Sequence, residues 1–198
     1  MCRVPKIQYI TRDDAHLSHL EQAELMFRNG IEWVQIRMKN SSDEERVKTS
    51  AKAIKSAKKF GGKLIINDSL EIAREVGAHG IHLGLNDCSI RSAREVLGPD
   101  VIIGGTANTV DDILTQVKRG ADYVGVGPFR FTETKKNLSP VIGLAGYKEI
   151  IKKLKQSGIQ TPLVAVGGIT INDIEKLIQL GLSGVAISGA LLDEYRNK

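Results

Sequence analysis

A single alternation constrains this chain more than anything else in it. A short, continuously apolar run is followed by a longer amphipathic one, and the pair recurs eight times with no linker or low-complexity break. Strands are predicted at Ile7–Ile10, Trp33–Ile36, Lys63–Ile66, Gly80–Leu83, Val101–Gly104, Tyr123–Val126, Pro162–Val166 and Gly184–Ile187. Helices are predicted over His16–Arg28, Ser42–Phe60, Leu70–Val76, Ile90–Leu97, Thr109–Arg119, Leu144–Lys155 and Asn172–Leu180, with a last one from Ala190. Short apolar strands separated by helices imply a parallel sheet with helices over it. Glycines before strands two, four, six and eight (Gly30, Gly77, Gly120, Gly181) fall where a left-handed helix terminator is expected. Eight regular units in 198 residues favour closure over an open doubly wound sheet. The expected fold is α/β, a compact single-domain (β/α)8 TIM barrel spanning residues 1–198.

The formal charge of +5 does not point to nucleic acid. Lys48, Lys52, Lys55, Lys58 and Lys59 lie along one helical stretch and read as a solvated face. Aromatic residues are few and not interleaved with basic ones, so no base-stacking platform forms. A modest positive field still helps to gather phosphorylated small molecules. Cys2 and Cys88 make neither a metal-type spacing nor a disulfide framework. With no signal-type apolar region and no run of bilayer length, a cytoplasmic protein without a membrane partner is the expectation. Oligomeric state is not readable from the sequence.

In a barrel of this kind, chemistry sits just past the carboxyl end of each strand. Gln35, Arg37 and Lys39 follow strand two at a spacing that sends three side chains to one side of an extended chain. Arg and Lys converging there want an anion. Strand three ends in Asn67-Asp68 and strand four in His82-Leu83-Gly84, with Asp87 close behind. Asp68 or Ser69 would also serve as a helix cap, and Asp87 equally as a turn residue or a cap before Ser89. Two acids at neighbouring strand ends beside basic groups suit Mg2+, which takes one or two carboxylates plus phosphate oxygens and waters. His82 is read as structural or substrate-orienting, and His16, His19 and His79 as surface or cap residues.

Strand five leads to Thr106. Strand six runs into a loop, Gly127-Pro128-Phe129-Arg130-Phe131-Thr132-Glu133-Thr134-Lys135-Lys136-Asn137, rich in hydroxyls and cations. Gly167 and Gly168 after strand seven, and Ile187-Ser188-Gly189 after strand eight, describe a phosphate corner at a helix start. Tight-turn geometry would also account for the two glycines. Two anion-binding places emerge. One holds Arg37, Lys39, Asn67, Thr106 and Lys135 with Asp68, Asp87 and a metal; the other holds Gly167, Gly168 and Ser188, with Thr132 and Thr134 between the two.

On Gln35-Ile36-Arg37-Met38-Lys39, Ile66-Asn67-Asp68, His82-Leu83-Gly84 with Asp87, Gly125-Val126-Gly127-Pro128, Thr132-Glu133-Thr134-Lys135, Ala165-Val166-Gly167-Gly168-Ile169 and Val185-Ala186-Ile187-Ser188, the chain resembles the thiamine phosphate synthase family. The resemblance implies a Mg2+-dependent transferase for two small-molecule substrates. It would join a hydroxymethylpyrimidine diphosphate to a hydroxyethylthiazole phosphate by dissociative substitution. It further implies that Arg37, Lys39, Asn67 and Lys135 hold pyrophosphate and that Asp68 and Asp87 hold the metal. Gln35, His82 and Thr106 would border the pyrimidine, while Thr132, Thr134, Gly168 and Ser188 receive the thiazole phosphate. A thiazole tautomerase-type relative or a non-catalytic phosphate-binding barrel is the alternative; Lys39, Asn67-Asp68 and Asp87 favour the synthase. The chain departs from the family's usual residues at Ser69, Leu85, Thr106 and Asn108, and at Arg130-Phe131, where an aromatic-proline pair is common.

Overall fold

The computed structural model describes residues 3–131 and 140–196. Eight parallel strands close in sequence order, each hydrogen-bonded to the next and the eighth to the first. They are β1 (Ile7–Ile10), β2 (Trp33–Ile36), β3 (Lys63–Asn67), β4 (Gly80–Leu83), β5 (Ile102–Ala107), β6 (Tyr123–Val126), β7 (Leu163–Val166) and β8 (Gly184–Ile187). Each is followed by a helix: α1 (His19–Arg28), α2 (Asp43–Phe60), α3 (Leu70–Glu75), α4 (Ile90–Leu97), α5 (Val110–Lys118), α6 (Gly143–Gln156), α7 (Ile174–Gln179) and α8 (Gly189–Arg196). A 3-10 turn, Ile171–Asp173, leads into α7.

Local chemistry sets the boundaries. The first helix begins at His19 because Ser18 accepts from the Glu21 N–H while the Glu21 carboxylate returns to the Ser18 N–H, a reciprocal capping box. Ser42, Ser69, Ser89 and Thr109 cap α2 to α5, each hydroxyl accepting a backbone N–H inside the first turn, and only Thr109 of these completes a reciprocal box, with Asp112. The fifth strand runs three residues beyond the predicted Gly104, because Gly105, Thr106 and Ala107 pair with Val124, Gly125 and Val126. Pro162 lacks an N–H, and β7 starts one residue after it.

Alternation along the strands divides the apolar residues into two cores. Outward residues such as Tyr9, Val34, Leu64, Ile81, Ile103, Val124, Ala165 and Val185 pack beneath the helices with Ala23, Met26, Ala53, Ile113 and Tyr147. Inward residues Trp33, Ile65, Ile102, Tyr123, Val164 and Ala186 fill the barrel, with Val4 packed against them. Burying each aliphatic side chain in either layer contributes about 1.5–3 kcal/mol before the entropy of ordering it. The two large inward rings, Trp33 and Tyr123, meet edge to face at 5.5 Å between centroids. Glycine makes room for one of them: a Cβ at Gly104 would lie 2.2 Å from Cζ of Tyr123. The lower barrel is therefore filled apart from a void of about 20 Å3 beside Gln8 and Tyr123, and the main open space lies at the carboxyl ends of the strands.

Candidate active site

Above that packed layer is a cavity of about 730 Å3. Its wall carries Gln35, Arg37, Lys39, Asn67, Asp68, His82, Asp87, Thr106, Gly167, Gly168, Ile187 and Ser188 together. Thr132, Thr134 and Lys135 lie outside the described residues. Ile187 packs its side chain into the layer under the helices, so its main chain is what it offers the cavity.

The β2, β3 and β4 ends meet in one cluster. Asn67 is the last residue of β3 and pairs in register with His82 of β4. The next residue, Asp68, turns left-handed at φ 68°, with its N–H donating 2.9 Å to the His82 carbonyl. Ser69, not Asp68, caps α3 through the Ile72 N–H. The Asp68 carboxylate is instead met by the Lys39 ammonium. Asp87 is both a turn residue and a cluster member: Oδ2 accepts from the Gly84 N–H at 2.6 Å, and its carboxyl hydrogen-bonds Asp68.

The two acids titrate as a pair with opposite tendencies. Burial would raise Asp68, but the Lys39 ammonium and the hydrogen bond with Asp87 outweigh it and hold the carboxyl below its usual range. Asp87 is raised, by burial first and then by the hydrogen bond and negative charge of Asp68. The two carboxyl groups put hard oxygen donors side by side next to the Lys39 ammonium. Among the described residues no group of three or more metal-binding side chains gathers. Two carboxylates fit Mg2+ when phosphate oxygens and water complete the shell.

Deeper in the cavity, His82 bridges two hydroxyls. Its Nδ1 lies 3.0 Å from the Tyr123 hydroxyl and its Nε2 lies 3.0 Å from Oγ1 of Thr106. The extension of β5 is what carries Thr106 to that position, and Gln116 Nε2 donates to the Thr106 carbonyl at 3.0 Å. A ring flanked by two neutral hydroxyls is fixed in orientation, and a Cβ at Gly125 would strike it at 2.9 Å from Cε1.

Two arrangements were not foreseen from the sequence. His19 is buried at 9% exposure, not a surface or cap residue. Its Nδ1 meets Oγ1 of Thr11 at 2.8 Å and its Nε2 meets Asp13 at 3.1 Å, while Thr11 accepts the Arg37 N–H at 3.0 Å. That chain of contacts steadies the backbone under Arg37. Arg12, beside Thr11, also lines the cavity; Thr11-Arg12-Asp13-Asp14 reads in sequence as an ordinary charged turn.

The β6 and β7 ends are bound to each other. Phe129 and Arg130 donate their N–H groups to the Val166 and Gly167 carbonyls, both at 2.9 Å. The Arg130 guanidinium takes both oxygens of Asp173, donates to the Gly168 carbonyl at 3.1 Å, and lies over the Phe129 ring. Its charge is thereby engaged by the protein, not left for a ligand as the loop composition implied. Gly167 and Gly168 have φ of 94° and 64°, and a Cβ on either would lie 2.8 Å from Pro128 or Arg130. Turn geometry and close approach thus account for both glycines, and the same turn places them in the cavity wall. Asn108 donates to the Gly127 carbonyl and joins the β5 and β6 loops.

With this geometry established, likeness to known proteins decides the family. A family model described as thiamine monophosphate synthase matches residues 7–191. The chain belongs to the thiamine monophosphate synthase family. A thiamine-phosphate synthase of Phocaeicola vulgatus is 42% identical over 187 residues, covering 94% of this chain and 90% of the relative. One from Bacteroides fragilis is 45% identical over 186 residues, covering 94% and 91%. Among solved structures, a thiamine phosphate pyrophosphorylase from Pyrococcus furiosus superposes with a TM-score of 0.81 at 27% identity, covering 94% of this chain and 87% of the other. Family membership makes this chain a transferase, and the barrel agrees with the family's architecture. Among the described residues no helix is long and apolar enough to cross a membrane.

Proposed function

We propose that the chain joins 4-amino-5-hydroxymethyl-2-methylpyrimidine diphosphate to 4-methyl-5-(2-hydroxyethyl)thiazole phosphate, giving thiamine phosphate and pyrophosphate. The observation that carries this reading is the Lys39–Asp68–Asp87 cluster, which opens onto the same cavity as Gly168 and Ser188. One end of that cavity suits a diphosphate and the other a monophosphate.

The bond between the pyrimidine methylene carbon and the diphosphate oxygen breaks, and the oxygen keeps both electrons. The thiazole nitrogen then gives its lone pair to the methylene cation, forming the new C–N bond. No protein nucleophile is required; positioning and charge complementarity supply the rate. Arg37, Lys39, Asn67 and Lys135 bind the departing diphosphate. Asp68 and Asp87 would hold Mg2+, which supplies positive charge to the diphosphate oxygens. Gln35, Thr106 and the His82 ring border the pyrimidine, with His82 kept in place by Tyr123 and Thr106. Gly167, Gly168, Ile187 and Ser188, with Thr132 and Thr134, receive the thiazole phosphate, in part through main-chain N–H groups at the start of α8.

The test is direct. Purified protein supplied with both substrates and Mg2+ should release thiamine phosphate and pyrophosphate in equal amounts, with turnover lost on chelation. No product from folded protein under those conditions would overturn the reading.

A further inference from the structure

We infer that Arg12 is the cationic binding residue for the phosphate monoester of the second substrate. This rests on the synthase reading above and adds a residue to it. Arg12 follows β1, which pairs with β8, and its side chain lines the cavity alongside Gly168, Ser188 and Gly189. The guanidinium lies against the first residue of α8: a Cβ at Gly189 would fall 2.5 Å from its Nη1.

The main chain of Arg12 is fixed while its charge is not. Its N–H donates 3.1 Å to Oε1 of Gln22, and its carbonyl accepts from Nε2 of the same side chain at 2.7 Å. Gln22 is itself wholly buried. By contrast, the Arg12 side chain makes one long hydrogen bond among the described residues, from Nε to the Asp13 carbonyl at 3.3 Å. Both neighbouring acids are engaged elsewhere. Asp13 is held by His19 and Asn40, and Asp14 by Arg196 at 2.8 Å.

A guanidinium beside the positive end of a helix is a repulsive pairing. An anion in the cavity that meets both converts two repelling partners into joint donors, and a phosphate monoester matches the guanidinium fork. The diphosphate cluster at β2 to β4 already has Lys39 and Arg37, so the monophosphate is the substrate group that Arg12 serves.

The experiment is steady-state kinetics of R12Q and R12K with each substrate varied in turn, alongside calorimetric binding of the thiazole phosphate and of its dephosphorylated alcohol. For R12Q, KM for the thiazole phosphate should rise about tenfold or more. KM for the pyrimidine diphosphate should stay within about twofold, and R12K should fall between R12Q and the parent. The parent's preference for phosphate over alcohol should shrink by the same factor. An unchanged preference, or a KM rise confined to the pyrimidine diphosphate, overturns the inference. A parent protein that binds the thiazole phosphate yet forms no product leaves Arg12 standing and sinks the synthase reading instead.

Discussion

Asp68 shows how much one backbone angle can decide. It is the only non-glycine residue with positive φ among those described, and that angle directs its carboxylate to Lys39 and Asp87 and away from the helix it precedes. Asparagine tolerates the left-handed region nearly as well and keeps the shape while removing the charge. Asp68→Asn should therefore unfold within a degree or two of the parent while kcat falls about a hundredfold, the loss of one strong charge-assisted contact. Asp68→Ala should lose turnover and about 1–2 kcal/mol of stability as well, because alanine has no means of easing that angle. Parallel kcat and thermal-unfolding measurements separate the two effects. Much of this cluster was legible in the sequence, since acids and bases at successive strand ends have few other reasons to converge. What could not be read was which residue caps: Ser69 and Ser89 take the helix N-termini, and that alone leaves the carboxylates to one another.

At the scale of elements, the apolar runs announced all eight strands because continuous burial leaves no other pattern. The end of β5 escaped because Gly104-Gly105-Thr106 looks like a turn until its register against β6 is known. The Arg130–Asp173 pair was equally invisible, since partners 43 residues apart meet only when β6 and β7 adjoin. This pair stitches the β6 end to the turn before α7. The Arg130 guanidinium, with Thr170, holds the Asp173 carboxyl far below the usual carboxylate range against the burial that would raise it. The folded value is thus lower than the unfolded one. Stability from this pair is complete at neutral pH, then lost as pH falls below about 4 toward the folded value. Asp173→Asn should cost about 1–2 kcal/mol at pH 7, moderated by the half-exposed arginine. The gap from the parent should narrow below about pH 4, as urea midpoints across the acid range will reveal. A constant gap would mean that the carboxyl's shape, not its charge, secures the loop.

For the whole molecule, a preformed cavity lined by cations implies strong coupling between ligand and fold. Pyrophosphate at a hundredfold excess over its Kd should add about 2.7 kcal/mol, raising Tm by roughly 5–10 °C for a chain of this size. Thermal shift with and without Mg2+ checks this, and the increment should depend on the metal in the parent and not in Asp68→Asn. A shift equally large without metal would count against Asp68 and Asp87 as its ligands.

Trp33 and Tyr123, edge to face with Tyr123 seated against Gly104 and Val4 packed on their cluster, close the barrel from below. The cavity is consequently a blind well, not a tunnel. Two reactants and two products must share one rim, and a molecule at the bottom waits on whatever lies above it.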